Sequence, residues 1–129
     1  MANTTTYADY QVLSSASTRL DASTNVKQVD FDFSIPSNTI VTNDSRRPVL
    51  SFMARVHKET MLKVFVNSQQ ILSWTLGTDL TIKGLWATWP AASVLVQFPN
   101  PVPVRFSVST QGKIDIENVV MWYQVTDAQ

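Results

Sequence analysis

The sequence predicts an all-β chain, an antiparallel β-sandwich of about eight strands, from three observations. Apolar and polar residues alternate with a period of two in several separate stretches, as half-buried strands require. Turn residues divide those stretches at the spacing of a sandwich rather than of α/β units. No segment longer than ~10 residues keeps a helical period, and strong helix formers never cluster.

The stretch through Asn25 is rich in Ser, Thr, Ala and Asn. Residues 1–25 read as a polar N-terminal arm holding one short strand, Tyr10-Gln11-Val12-Leu13, and residues 26–129 as a single sandwich domain. Val29, Phe31, Phe33 and Ile35 alternate with Asp30, Asp32 and Ser34, a strand that stops at Pro36. Ser37 to Pro48 is polar and reads as a loop. Leu50, Phe52, Ala54 and Val56 form the next inward set, followed by Leu62, Val64 and Val66. Asn67-Ser68-Gln69-Gln70 turns the chain into Ile71–Leu76. Gly77 to Gly84 reads as a loop, Leu85–Pro90 follows it, and Val94–Phe98 could close a short strand. Val102, Val104, Phe106 and Val108 alternate with Pro103, Arg105, Ser107 and Ser109. Pro99, Pro101 and Pro103 lack backbone donors, so this strand is expected to begin at a sheet edge. A Thr110–Lys113 turn leads into Ile114–Tyr123.

The 129 residues suit one domain, with 44% hydrophobic and only 16% charged residues. Ten basic residues balance ten acidic ones, so no global field steers nucleic acid, and nucleic-acid binding is not expected. Cysteine is absent, which removes disulfide and thiolate chemistry. Met1–Thr6 shows neither a basic segment nor an apolar one, so no signal peptide is visible. No apolar run approaches the ~20 residues of a membrane-spanning helix. The expectation is a soluble protein of cytoplasmic synthesis, released or part of a particle, or else a mature form whose leader has been removed.

Leu62-Lys63-Val64-Phe65-Val66-Asn67, Phe98-Pro99-Asn100-Pro101-Val102-Pro103-Val104-Arg105-Phe106 and Ile114–Tyr123 together resemble the galactose-binding-like jelly-roll domains that serve as carbohydrate-binding modules. The Leu62–Asn67 run is similar to their strand ending in a Val-Asn-Gly turn, with Ser68 in place of Gly. The Phe98–Phe106 run is similar to their "Gly-x-Asn-x-Ile-x-Phe" turn and strand, with Pro99 in place of Gly. Ile114–Tyr123 resembles their closing strand. The likeness covers residues 62–123 and implies a jelly-roll-like sandwich that binds glycans. Such modules often hold a structural calcium near an early loop, and no calcium loop of that kind is legible in this sequence.

His57 is the single histidine. A Ser-His-Asp arrangement would use it as base, but no serine carries an elbow motif, and His57 reads as a surface residue at a strand end. Asp30 and Asp32 project from one strand face about 6.5–7 Å apart, and Asp115 and Glu117 do the same. Such pairs could hold a hard cation if they stood side by side. Otherwise they face solvent beside cross-strand Lys27, Arg55, Arg105 or Lys113. No cofactor is expected.

Trp74, Trp86 and Trp89 fall within sixteen residues. Sugars stack C–H faces on indole, while neighbouring polar groups bind their hydroxyls. Trp86 and Trp89 are three apart and would point to opposite sides of an extended segment, so one of them should be exposed. Trp74 and Trp122 are expected in the core. The candidate ligand site is therefore Trp86 or Trp89 with Asp79 and Lys83. The functional expectation is a non-catalytic, lectin-like glycan-binding module. The alternative is a structural subunit of a virion, tail or toxin-delivery particle, a homo-oligomer assembling through sheet edges and the N-terminal arm.

Overall fold

The computed structural model describes residues 4–35, 48–77, 83–88, 101–109 and 111–128. They form nine strands: β1 (Thr4–Ser14), β2 (Thr18–Asp21), β3 (Gln28–Phe33), β4 (Val49–Lys58), β5 (Thr60–Val66), β6 (Gln69–Leu76), β7 (Lys83–Thr88), β8 (Val102–Ser109) and β9 (Lys113–Ala128). No helix among the described residues is long and apolar enough to cross a membrane. One antiparallel sheet runs β1-β9-β4-β7 and the other β3-β8-β5-β6. β2 also pairs with β9, end to end with β1, so the two occupy one strand position. The eight resulting positions alternate between the sheets, except that β5 and β6 form a hairpin within one sheet, as in a jelly roll.

Alternation decides which faces meet. Leu50, Phe52, Ala54 and Val56 of β4 are buried, as are Leu62, Val64 and Val66 of β5 and Val102, Val104, Phe106 and Val108 of β8. Phe52 crosses the sandwich to meet Phe106 edge-on, ring centroids 4.8 Å apart at 86°. Edge-to-face packing of this kind is favoured by the ring quadrupoles. Phe33 is fully buried, whereas Val29, Phe31 and Ile35 are only partly covered, because β3 is the last strand of its sheet.

Four expectations need correction. The N-terminal stretch is not a loose arm with a four-residue strand, since β1 pairs with β9 from Thr4 to Ser14. Its Ser/Thr-rich composition disguised a strand whose partner lies over a hundred residues away. Second, β8 is an inner strand, flanked by β3 and β5. Pro103 is tolerated there because its carbonyl, and hence its missing N–H, faces the Asn67 turn, where the Asn67 N–H donates to the Pro103 carbonyl at 2.9 Å.

Third, Trp122 is 39% exposed rather than core. The inward residues of β9 are Ile114 and Ile116, then Val119, Met121, Tyr123 and Val125. The phase changes at Asn118, which has φ of 52°, where Ser51 pairs with Val120 but Met53 with Glu117. One extra residue is a β-bulge, and it turns every later side chain over. Fourth, Trp74 is 44% exposed. Its register partner is inward-facing Leu62, but β6 is the outermost strand of its sheet, which leaves this residue partly uncovered.

Two turns require special backbone. In the β5–β6 hairpin only Asn67 and Ser68 lie between the paired Val66 and Gln69, with φ of 49° and 69°. Two successive left-handed residues match the strand twist in a primed turn. At Gly112 an added Cβ would overlap the Cβ and Oγ1 of Thr60. That threonine is buried because its hydroxyl donates to the Ser109 carbonyl at 2.7 Å and accepts from the Ser109 N–H at 3.2 Å.

Candidate functional site

Of the residues picked from the sequence, Asp79 and Trp89 lie outside the described residues. Lys83 and Trp86 are on β7, where the backbone pairs Lys83 with Ala54 and Trp86 with Ser51 of β4. That places both on the outermost strand of the five-stranded sheet.

A concave site stands elsewhere, on the outer face of the four-stranded sheet. Because Leu62, Val64 and Val66 point inward, Lys63 and Phe65 must point out. Across the ladder Lys63 aligns with Ser107 and then Gln28, and Phe65 aligns with Arg105 and then Asp30. Gln28, Lys63, Phe65, Ser68, Pro103, Arg105 and Ser107 line an open depression of about 400 Å³. Its floor is one half-buried aromatic ring among amide, hydroxyl and cationic groups. Its shape is fixed by ladder hydrogen bonds and by the Asn67-Ser68 turn rather than by a loose loop. Arg105 is held in place by Asp30, with Nε to Oδ1 at 2.8 Å and Nη2 to Oδ2 at 3.2 Å. That fork raises the Arg105 pKa above its ordinary value, so the guanidinium is a fixed positive group. Sequence reasoning missed this site, although its signal was present: Phe65 is the aromatic in the outward set Met61, Lys63 and Phe65 of its strand.

The acidic pairs separate. Asp30 and Asp32 lie on β3 in one sheet, while Asp115 and Glu117 lie on β9 in the other. They do not stand side by side, and no group of three or more metal-binding side chains occurs among the described residues. Asp115 is instead the centre of a charge cluster on the outer face of the five-stranded sheet. Arg19 grips it through Nε to Oδ1 at 2.7 Å and Nη2 to Oδ2 at 3.1 Å, and His57 Nε2 is 2.9 Å from Oδ2. The Arg19 bond, assisted by His57, holds the carboxyl down to about 2 although burial pushes it up. His57 is thus bonded to a carboxylate, with no serine in the cluster.

The other end of that face is aromatic. Tyr10 and Trp122 are cross-strand partners with ring centroids 5.3 Å apart and planes at 40°. Trp122 Nε1 donates to Ser51 Oγ at 2.7 Å, which pins the indole against the sheet. Val12, 50% exposed, and Tyr10, 56% exposed, continue the patch toward the sheet edge.

No known sequence family matches the chain, and no curated protein matches it. Among solved structures, dimeric latent PorU from Porphyromonas gingivalis matches with a TM-score of 0.65 at 12% identity, over 93% of this chain. The chain spans only 13% of the PorU chain's length. A family 11 carbohydrate-binding module of the cellulosomal cellulase Lic26A-Cel5E of Clostridium thermocellum aligns over 92% of this chain and 86% of its own, at 10% identity and a TM-score of 0.40. A family two carbohydrate esterase from Clostridium thermocellum, in complex with cellohexaose, aligns over 70% of this chain and 30% of its own, at 5% identity and a TM-score of 0.40. The last two likenesses are too distant to bear on function. The first shows that this jelly-roll sandwich recurs as one region of a far longer protein.

Proposed function

We propose that the chain is a non-catalytic carbohydrate-binding module that takes a glycan in the depression on the four-stranded sheet. The observation that carries this reading is the pairing of Phe65 with hydrogen-bonding side chains in one concavity. Gln28, Lys63, Ser68, Arg105 and Ser107 surround the ring, and about 400 Å³ falls within the ordinary range of small-ligand sites. A sugar ring would stack on Phe65 while its hydroxyls bond to the rim. Binding of this kind uses no cofactor. The Gly77–Trp89 stretch of the sequence, with Trp86, Trp89, Asp79 and Lys83, is the alternative location for the same activity.

Calorimetric titration with a panel of oligosaccharides tests both. Phe65→Ala should abolish binding if the depression is the site, and Trp86→Ala should leave it intact. The reverse result moves the site to β7, and no binding to any sugar at millimolar concentration removes the glycan reading.

A structural role is the second reading, favoured by the Tyr10, Val12 and Trp122 patch. Exposed aromatic residues on one sheet face, with the Arg19, His57 and Asp115 charges at its other end, suit a protein interface. A strictly monomeric mass at every concentration tested would count against self-assembly.

A further inference from the structure

We propose that the saccharide recognised in this depression is anionic, carrying a carboxylate or a sulfate that Lys63 receives; the inference rests on the glycan reading of the same site. Lys63 lies at the middle of the outer face of its sheet, between Ser107 on β8 and Ser73 on β6. Along its own strand the outward neighbours are Met61 and Phe65. The one charged residue on the adjoining diagonals is Arg105, which has the same sign. Lys63 takes part in no ion pair or side-chain hydrogen bond among the described residues.

Arginine and lysine differ in their circumstances in this depression. Arg105 is answered by Asp30 through two bonds, and that carboxylate is thereby committed, two strands from Lys63. Asp32 is one row further along β3, beside Pro103, and does not line the depression. Among the described residues the local balance is therefore one unanswered positive charge in a concavity whose remaining polar groups are neutral. Half-buried Lys63 beside the guanidinium of Arg105 raises the electrostatic potential of the cavity, and an anionic group entering it would be attracted. Ser107 and Gln28 stand in the same row to donate to the same anion. Phe65, next along the strand, receives the apolar face of the ring. A neutral sugar would satisfy Phe65 and the hydroxyl partners but leave Lys63 without a counter-charge.

The test uses the full chain and three hexasaccharides titrated calorimetrically: a polyuronate, a sulfated glucan and a neutral glucan, with inorganic sulfate as the free-anion control. At least one anionic hexasaccharide should bind about tenfold more tightly than the neutral one, as a charge-assisted hydrogen bond warrants. The tighter of the two names the group. Lys63→Gln should erase that advantage, whereas Lys63→Arg should keep most of it. Raising the salt concentration should weaken only the anionic ligand. Equal binding of neutral and anionic sugars overturns the inference and leaves the glycan reading standing. An anionic preference that survives Lys63→Gln overturns the assignment to Lys63. Inorganic sulfate competing as well as the sugar overturns the saccharide, and failure of every sugar overturns both readings.

Discussion

Replacing Asp115 with asparagine keeps the side chain's shape and removes its charge, which isolates the carboxylate that Arg19 and His57 hold. In the unfolded chain the group titrates near 3.8, and in the fold Arg19 and His57 hold it down to about 2. At about 1.4 kcal/mol per pH unit that difference sets a ceiling of roughly 2.5 kcal/mol. The Arg19 side chain is half exposed, so solvent and salt screening reduce the expected contribution to on the order of 1–2 kcal/mol. Because the folded pKa is the lower one, the unfolded state binds more protons as pH falls. The stabilisation is complete above about pH 5 and disappears as pH drops through 4 toward 2. Urea unfolding of both proteins from pH 7 to pH 2 reads this directly. The natural chain should exceed Asp115→Asn by about 1–2 kcal/mol at pH 7, and the gap should close with acid. Other carboxylates, including Asp21, whose pKa is lowered mainly by its bond to Ser23, act equally in both proteins and cancel. A gap that stays constant from pH 7 to pH 2 would refute the reasoning.

Two turn substitutions should act in opposite directions. Ser68→Gly removes the strain of a non-glycine residue at φ of 69° and should raise stability by about 0.5–1 kcal/mol, seen as a higher melting temperature by calorimetry. Gly112→Ala drives a methyl into Thr60 and should cost at least about 2 kcal/mol. Thr60→Ala should not rescue it, because the obstructing atoms include the Thr60 Cβ itself.

Much of the scaffold was legible because period-two alternation is a local property. Leu50 to Val56, Leu62 to Val66 and Val102 to Val108 could be assigned to the core without knowing their partners, since each strand needs only two unlike faces. The candidate site was less legible, because the tryptophan cluster drew attention to side-chain chemistry on one segment. The depression around Phe65 is assembled from three strands whose residues lie as far apart in sequence as Gln28 and Ser107. Trp122 shows a further limit. Counting by twos from Ile114 and Ile116 puts it inside, and one left-handed asparagine puts it outside. A bulge costs the sequence no visible mark beyond a residue type that tolerates positive φ.

What the sequence determined by itself is the all-β class and the inward face of most strands, since side-chain partition between water and core follows local pattern. Only the tertiary structure decided which strands become neighbours. That choice made β8 an inner strand despite Pro103 and gave the polar N-terminus a partner in β9. It also set Lys63 in a row of uncharged neighbours while Asp30 took Arg105. Pairing joins residues that are distant along the chain, and its energy comes from the whole buried interface between strands, so no single segment could announce it.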